Sequence, residues 1–345
     1  MGLASGSMII YPMHTKLGYP VFGKDIAEPQ QPQFNKSFAY QRTELVPGAF
    51  AEYTGQWGPR LNSVIGIRAD YHNLFGLMVT PRAHFRFEAT ADLTFRASIG
   101  KGRRLTSLIA DNLSFLASNR VWAPDPSTEK AYGFRPDEAW NTGASASQSF
   151  RINRRRGIIT ADYFYTWFQK QVVTDLETVG QINLYSLTGK SNAHSFSVQW
   201  DQFLTRKIEM RLAYRMVDSR SQFQSAFLQK PFLANHRGFA NLSWNAPRKW
   251  KLDGTLQWTG NKRLPGSVAG VLPVQSPDFV TLNGQISKTF PFGLELYLGI
   301  ENATDFRQKE LIISPSNTHA ANFDAAMVWG PVIGRMVYGG FRWSW

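Results

Sequence analysis

A two-residue rhythm of apolar and polar side chains is what most limits the shapes open to this chain, and it is sharpest at the C-terminus. Over residues 334–345, Val337, Gly339, Phe341, Trp343 and Trp345 fall on one side of the period, and Met336, Tyr338, Gly340, Arg342 and Ser344 on the other. One side suits hydrocarbon and the other a wet interior. On a soluble protein, a terminal strand showing two tryptophans and a phenylalanine invites edge-to-edge association. In a closed barrel the same strand finds partners on both sides, so that no backbone group is left bare in lipid.

The rhythm repeats upstream. Between 207 and 217, Ile208, Met210, Leu212, Tyr214 and Met216 alternate with Glu209, Arg211, Ala213 and Arg215. Between 250 and 259, Trp250, Leu252, Gly254, Leu256 and Trp258 alternate with Lys251, Asp253, Thr255, Gln257 and Thr259. A helix does not alternate in this way. Further strands are expected at 48–56, 61–71, 82–89, 93–100, 140–152, 158–173, 191–204, 237–245, 279–290 and 294–306. With the terminal strand, and one before 48, the tally is roughly 13 or 14, each about 10–14 residues, as tilted spanning strands require. Short turns at 57–60, 90–92, 153–157, 205–206, 246–249 and 291–293 alternate with long connections at 101–138, 174–190, 218–236, 260–278 and 307–333. Outer-membrane barrels have brief turns on the periplasmic side and extended loops outside, which orients the chain with its C-terminus towards the periplasm. The expected fold is all-β: part of a transmembrane antiparallel barrel, its wall within 45–345, preceded by a loop or partial strand at 1–44.

Composition agrees. No run of about 18 apolar residues occurs, which removes helical membrane spans but not barrel strands, since these are only half apolar. Cysteine is absent from the 345 residues, excluding disulfides and thiolate metal sites. Residues 1–11 lack the basic start, apolar centre and cleavage site of an export signal, so the chain is expected to be a fragment, a mature piece or the product of a shortened reading frame. The net charge is +13, yet the one basic run, Arg154, Arg155 and Arg156, sits in a short turn without interleaved aromatics. It reads as a solvated turn near lipid headgroups, and no nucleic-acid partner is expected. The six histidines are scattered, with no metal-ligand spacing and no orienting group for a nucleophile; His194 to Phe196 is the nearest approach. Neither enzyme chemistry, nor a cofactor, nor a metal centre is expected. Tyr163, Tyr165, Trp167, Trp200, Trp244, Trp250, Trp258, Trp343 and Trp345 stand at strand ends as interfacial belts do, while Tyr132, Trp140 and Phe232 are weaker candidates for stacking on a ligand.

Motifs spread over about 300 residues point further. They are PGAFAEYT at 47–54, GIRAD at 66–70, TPRAHF at 80–85, LTFRASIGKGRRL at 93–105, EAWN at 138–141, LTGKS at 187–191, ENATDFRQ at 301–308 and NFDAAMVWGPVIGRMVYGGF at 322–341. In this order they resemble the C-terminal barrel portion of TonB-dependent receptors, in particular Bacteroidetes-type members. The resemblance implies a barrel of about 22 strands around an N-terminal plug, energised by TonB acting on that plug. Neither plug nor TonB-contact motif is found in the sequence, and the expected role is the barrel part of an uptake receptor for a scarce ligand such as a ferric siderophore. A plugless passive pore and a non-functional remnant are the alternatives. The expected partners are outer-membrane lipid, the TonB complex through a plug, the barrel-assembly machinery and an anionic ligand. Arg82, His84 and Arg86, sharing a face with Glu88, together with Arg96, the loop residues Lys101, Arg103 and Arg104, and Lys262 and Arg263 in an outside loop, are candidates for plug or ligand contact. Tyr338, Phe341, Trp343 and Trp345 are the implied barrel-assembly signal.

Overall fold

The computed structural model describes residues 2–3, 9–15, 42–125, 134–224 and 226–344, giving only the backbone path before residue 43. Nineteen strands occur among them. They are β1 Gly2–Leu3, β2 Ile9–Thr15, β3 Arg42–Trp57, β4 Leu61–His72, β5 Gly76–Glu88, β6 Leu93–Arg104, β7 Val121–Asp125, β8 Asp137–Ile152, β9 Arg155–Lys170 and β10 Val172–Asp175. There follow β11 Gln181–Ser186, β12 Ser191–Phe203, β13 Ile208–Gln222, β14 Phe227–Gln229, β15 His236–Ala246, β16 Trp250–Thr259, β17 Phe279–Thr289, β18 Leu294–Glu301 and β19 Met336–Trp343.

Sixteen of these build one sheet, a meander in the order β3, β4, β5, β6, β8, β9, β12, β13, β15, β16, β17, β18, β19, with β1 and β2 on the far side of β3 and β14 on β13. Each neighbour pair along this path is antiparallel, as tight hairpins demand. Asn153 and Arg154, for example, both take positive φ (49° and 60°), the twist-matched turn that joins β8 to β9. Among the described residues no ladder joins β19 back to β1 or β2, so the sheet is a long segment of wall with two ends.

Register assigns the faces. The row Glu52, Gly66, Arg82, Gly100, Asn141 and Thr166 runs across one face, where polar or small neighbours such as Thr54, Arg68, His84, Ser98 and Gly143 outnumber the apolar Phe50, Val64, Phe164 and Phe168. The opposite face shows Ile65, Ile67, Phe85, Phe95, Leu212, Leu256, Leu298 and Phe341, all well exposed. Apolar surface turned outward along an entire sheet is the arrangement of a protein dissolved in lipid. No helix of the described residues is long and apolar enough to cross a membrane.

The buried core lies elsewhere. Met78 apart, the buried hydrophobic side chains of the described residues belong to the long connections and their short strands, from Leu108 to Met327. β7, β10 and β11 form a second, three-stranded sheet there, in which β7 runs parallel to β11.

Several expected boundaries are corrected. β6 continues to Arg104 and β8 begins at Asp137, so Lys101, Arg103 and Arg104 are strand residues and not loop residues. β5 begins at Gly76, six residues before the expected 82, leaving only 73–75 as an outside connection, so strict alternation of short and long fails there. That turn is held by buried His72, whose Nδ1 accepts from Leu74 N at 3.0 Å and whose ring lies 4.9 Å from Phe75. β9 stops at Lys170, and β10 starts afresh where Val172 N donates to Asp137 at 2.8 Å. β18 ends at Glu301, well short of 306, because Asn302 turns the chain with φ of 48°.

Candidate functional site

The long connections fold together into a cap above one rim of the wall. Trp122 and the Ile182 and Leu184 of β11 pack with Leu108, Phe134 and Leu176. A second cluster joins Leu264, Val268 and Leu272 to Ala326 and Met327, and Phe115 and Phe232 touch both. Burying a side chain of this kind contributes about 1.5–3 kcal/mol, so the two clusters bind segments that are otherwise far apart in sequence.

Arg120 is the polar hub of the cap. Its guanidinium donates to Asp324 at 2.6 Å, to Ser267 Oγ at 3.1 Å and to the Gln181 carbonyl at 3.2 Å, which ties four connections together. The Arg120 and Asp324 side chains are only 5% and 4% exposed, so each needs the other. Asp324 also accepts from Ala326 N at 2.8 Å. Nearby, buried Gln308 donates to the carbonyls of Glu310 and Met327, while its own carbonyl accepts from Trp329 N and Gly330 N. Asn302 does the same for the ENATDF turn: it donates to Phe306 O and accepts from Phe306 N and Thr304 Oγ1. Asp305, on the surface, takes Arg335 N at 2.9 Å, and that hydrogen bond lowers its pKa below the usual carboxylate value. Tyr185 donates to buried Asp175 at 2.7 Å; burial first, and then the carboxylate, push its phenol upward.

Beneath the cap the inner wall is charged. Arg82 pairs with Glu52 at 2.6 Å, Arg86 with Glu88 at 2.8 Å, and Arg211 with Asp201. Arg96, directly opposite Arg86, has no carboxylate partner among the described residues. The same holds for Arg215 and Arg237, which face each other across β13 and β15. They line a concavity of about 510 Å³ that also contains Asp162, Gln199, Gln257 and Phe239. Lys262 follows just above, at the foot of the cap. Its ammonium donates to the Trp329 carbonyl and lies 5.8 Å from the Phe279 ring centre. Burial first, and then Arg237, lower its pKa from the usual lysine value.

The residues singled out from the sequence separate into four groups. Arg82, His84, Arg86 and Arg96 do share the inner face, on β5 and β6. Arg104 has the inner parity too, bonded to Asp137 at 3.0 Å and Asp111 at 3.3 Å. Arg103, with Lys101, has the outer parity and pairs with Glu138, so it does not face the interior. Arg263 is a strut of the cap, ion-paired with Glu177 at 2.9 Å and donating to the Gln229 carbonyl at 2.6 Å. Phe341 and Trp343 point outward, whereas Tyr338 points inward and donates to Gln285 at 3.0 Å; Trp345 and Tyr132 lie outside the described residues. Trp140 stacks on Trp167 on the outer face, and Phe232 is part of the cap core. Sequence reasoning missed Arg215 and Arg237 as a pair, because their juxtaposition depends on register; both do stand at inner-parity positions of alternating segments. Among the described residues, no group of three His, Cys, Asp or Glu side chains is placed to hold a metal ion.

A family model described as TonB dependent receptor-like, beta-barrel, matches residues 12–303. Solved structures share the fold at low sequence identity. The ferric enterobactin receptor PfeA of Pseudomonas aeruginosa is 14% identical with a TM-score of 0.64, the match covering 89% of this chain and 46% of the receptor. The ferric-catecholate import receptor Fiu of E. coli K12 is 11% identical with a TM-score of 0.62, covering 87% and 44%. The copper transporter OprC is 12% identical with a TM-score of 0.64, covering 88% and 48%. The chain thus spans less than half the length of these proteins. No curated relative matches its sequence.

Proposed function

Because the chain belongs to the TonB-dependent receptor family of β-barrels, we propose that it forms wall and outer cap of a receptor importing a scarce anionic ligand, such as a ferric siderophore or another metal chelate. Barrels of this family are outer-membrane proteins. Two open sheet ends would leave backbone groups bare in lipid, so in the proposed receptor further strands complete the wall and a plug fills it. TonB then supplies the energy through that plug. The mechanism is capture, plug movement and release, without a covalent step.

The observation that carries the anionic-ligand reading is the trio Arg215, Arg237 and Lys262. These cations rise along the inner wall to the foot of the cap, with no carboxylate paired to them among the described residues. Cations gathered in a concave site of lowered dielectric attract and hold an anion. Growth on ferric chelates as sole iron source, with and without TonB, tests the transport reading on the complete receptor; growth that persists without TonB would refute it. Arg237→Ala and Lys262→Ala should each weaken binding of an anionic chelate severalfold while leaving the amount of folded receptor unchanged. Unaltered affinity in both would rule out this wall as the ligand's path.

A further inference from the structure

We propose that the outward face where β6, β8 and β9 meet is a binding site for a phosphorylated lipid headgroup of the outer leaflet. Four registered rows climb this face towards the long connections: Ala97–Ala144–Tyr163, then Ile99–Thr142–Tyr165, then Lys101–Trp140–Trp167, and last Arg103–Glu138–Lys170. Thr142 and Ala144 are small and β8 continues below them with Ala146, so the strand is the floor of a trough. Phe95 and Ile99 form one bank, and Tyr163 and Tyr165 the other. Above the trough Trp140 and Trp167 stack at 6.1 Å and 10°, and Tyr165 stacks on Trp167 at 5.8 Å, an interfacial belt at the expected level.

The top row holds three cations on one carboxylate. Lys101 Nζ is 2.6 Å from Glu138, Arg103 Nη2 2.7 Å and Lys170 Nζ 3.9 Å. Two positive charges remain in excess. Arg103 Nε is buried with no hydrogen-bond acceptor among the described residues. Further along the rim, Arg220 on β13 is satisfied by Asp218 at 3.0 Å. A phosphate supplies what is missing, both negative charge and acceptor oxygens. A free phosphate would leave the aromatic belt and the trough unused, whereas a lipid places its acyl chain along β8. The membrane surface at this level concentrates such headgroups.

The inference rests on the barrel lying in an outer membrane, and its test reads lipid and not uptake, so failure of either leaves the other standing. The protein is purified from outer membranes in mild detergent, and co-purified phosphorylated lipid is counted by native mass spectrometry. Lys101→Ala with Lys170→Ala keeps Arg103 on Glu138 and should lower the lipid retained about fivefold per lysine, the worth of one basic side chain at an anionic surface. Lys288→Ala, an outward cation at the opposite rim over Trp250, should change nothing. Heat-modifiable gel migration reports folding. If the double variant does not fold, Lys170→Ala alone, whose side chain is 51% exposed, carries the test. Undiminished lipid in the folded variant would overturn the proposal, as would an equal loss in Lys288→Ala. Displacement of the lipid by inorganic phosphate at equal concentration would also overturn it, because the trough would then contribute nothing.

Discussion

At the scale of single residues, the least forgiving contact is Arg120 with Asp324. Arg120→Met leaves a buried carboxylate without its cation, which costs about 3–5 kcal/mol. Hydrogen exchange should show the segments around Gln181, Ser267 and Asp324 losing protection together while the strands of the wall keep theirs. Tyr185 gives a pH signature. Its folded pKa lies above the ordinary 10.0, so its contribution is intact below that value and is lost as the pH climbs past it, where an unfolded phenol would ionise. Cap protection should therefore decline above pH 10, and Tyr185→Phe should flatten that decline. These two residues were illegible in the sequence, since Arg120 and Asp324 are 204 positions apart and no local pattern links them. The inner-face set of Arg82, His84, Arg86 and Arg96 was legible, because alternation within one hairpin decides it.

At the scale of strands, what could be read was whatever faces lipid. Leu256 on β16 looks outward between Ala240 and Leu282, and Gln257 looks inward. Leu256→Arg should cost about 2–4 kcal/mol, seen as a loss of heat-modifiable folded protein, whereas Gln257→Arg should fold normally. Strand ends were misread for a physical reason. β6 and β13 run beyond the hydrocarbon, to Arg104 and Gln222, and there they still pair with β8 and with β14. Once both faces meet water, hydropathic contrast vanishes while hydrogen bonding continues. The opposite error at β18 came from Asn302: the expected strand runs on to Phe306, but the Asn302 side chain closes a turn with Thr304 and Phe306.

At the scale of the molecule, the wall and the cap are two different kinds of structure. The wall is stabilised by ladders and by lipid, and the cap by a conventional core around Trp122, which is 1% exposed. Trp122→Ala should cost about 3–5 kcal/mol and lower a cap transition in calorimetry without moving the later transition of the wall. The cap was read from the sequence only as long connections, since its apolar residues are dispersed over segments that meet in space and not along the chain. Its parallel pair has one more outcome. Between β7 and β11 the chain runs down β8 and back up β9, so the two strands meet only after that hairpin has been threaded through the bilayer. Arg120 and Asp324 then join just before the polypeptide enters β19. Closure of the surface thus dates each copy's biogenesis: newly inserted molecules should be clipped by a protease added outside the cell, and mature ones spared.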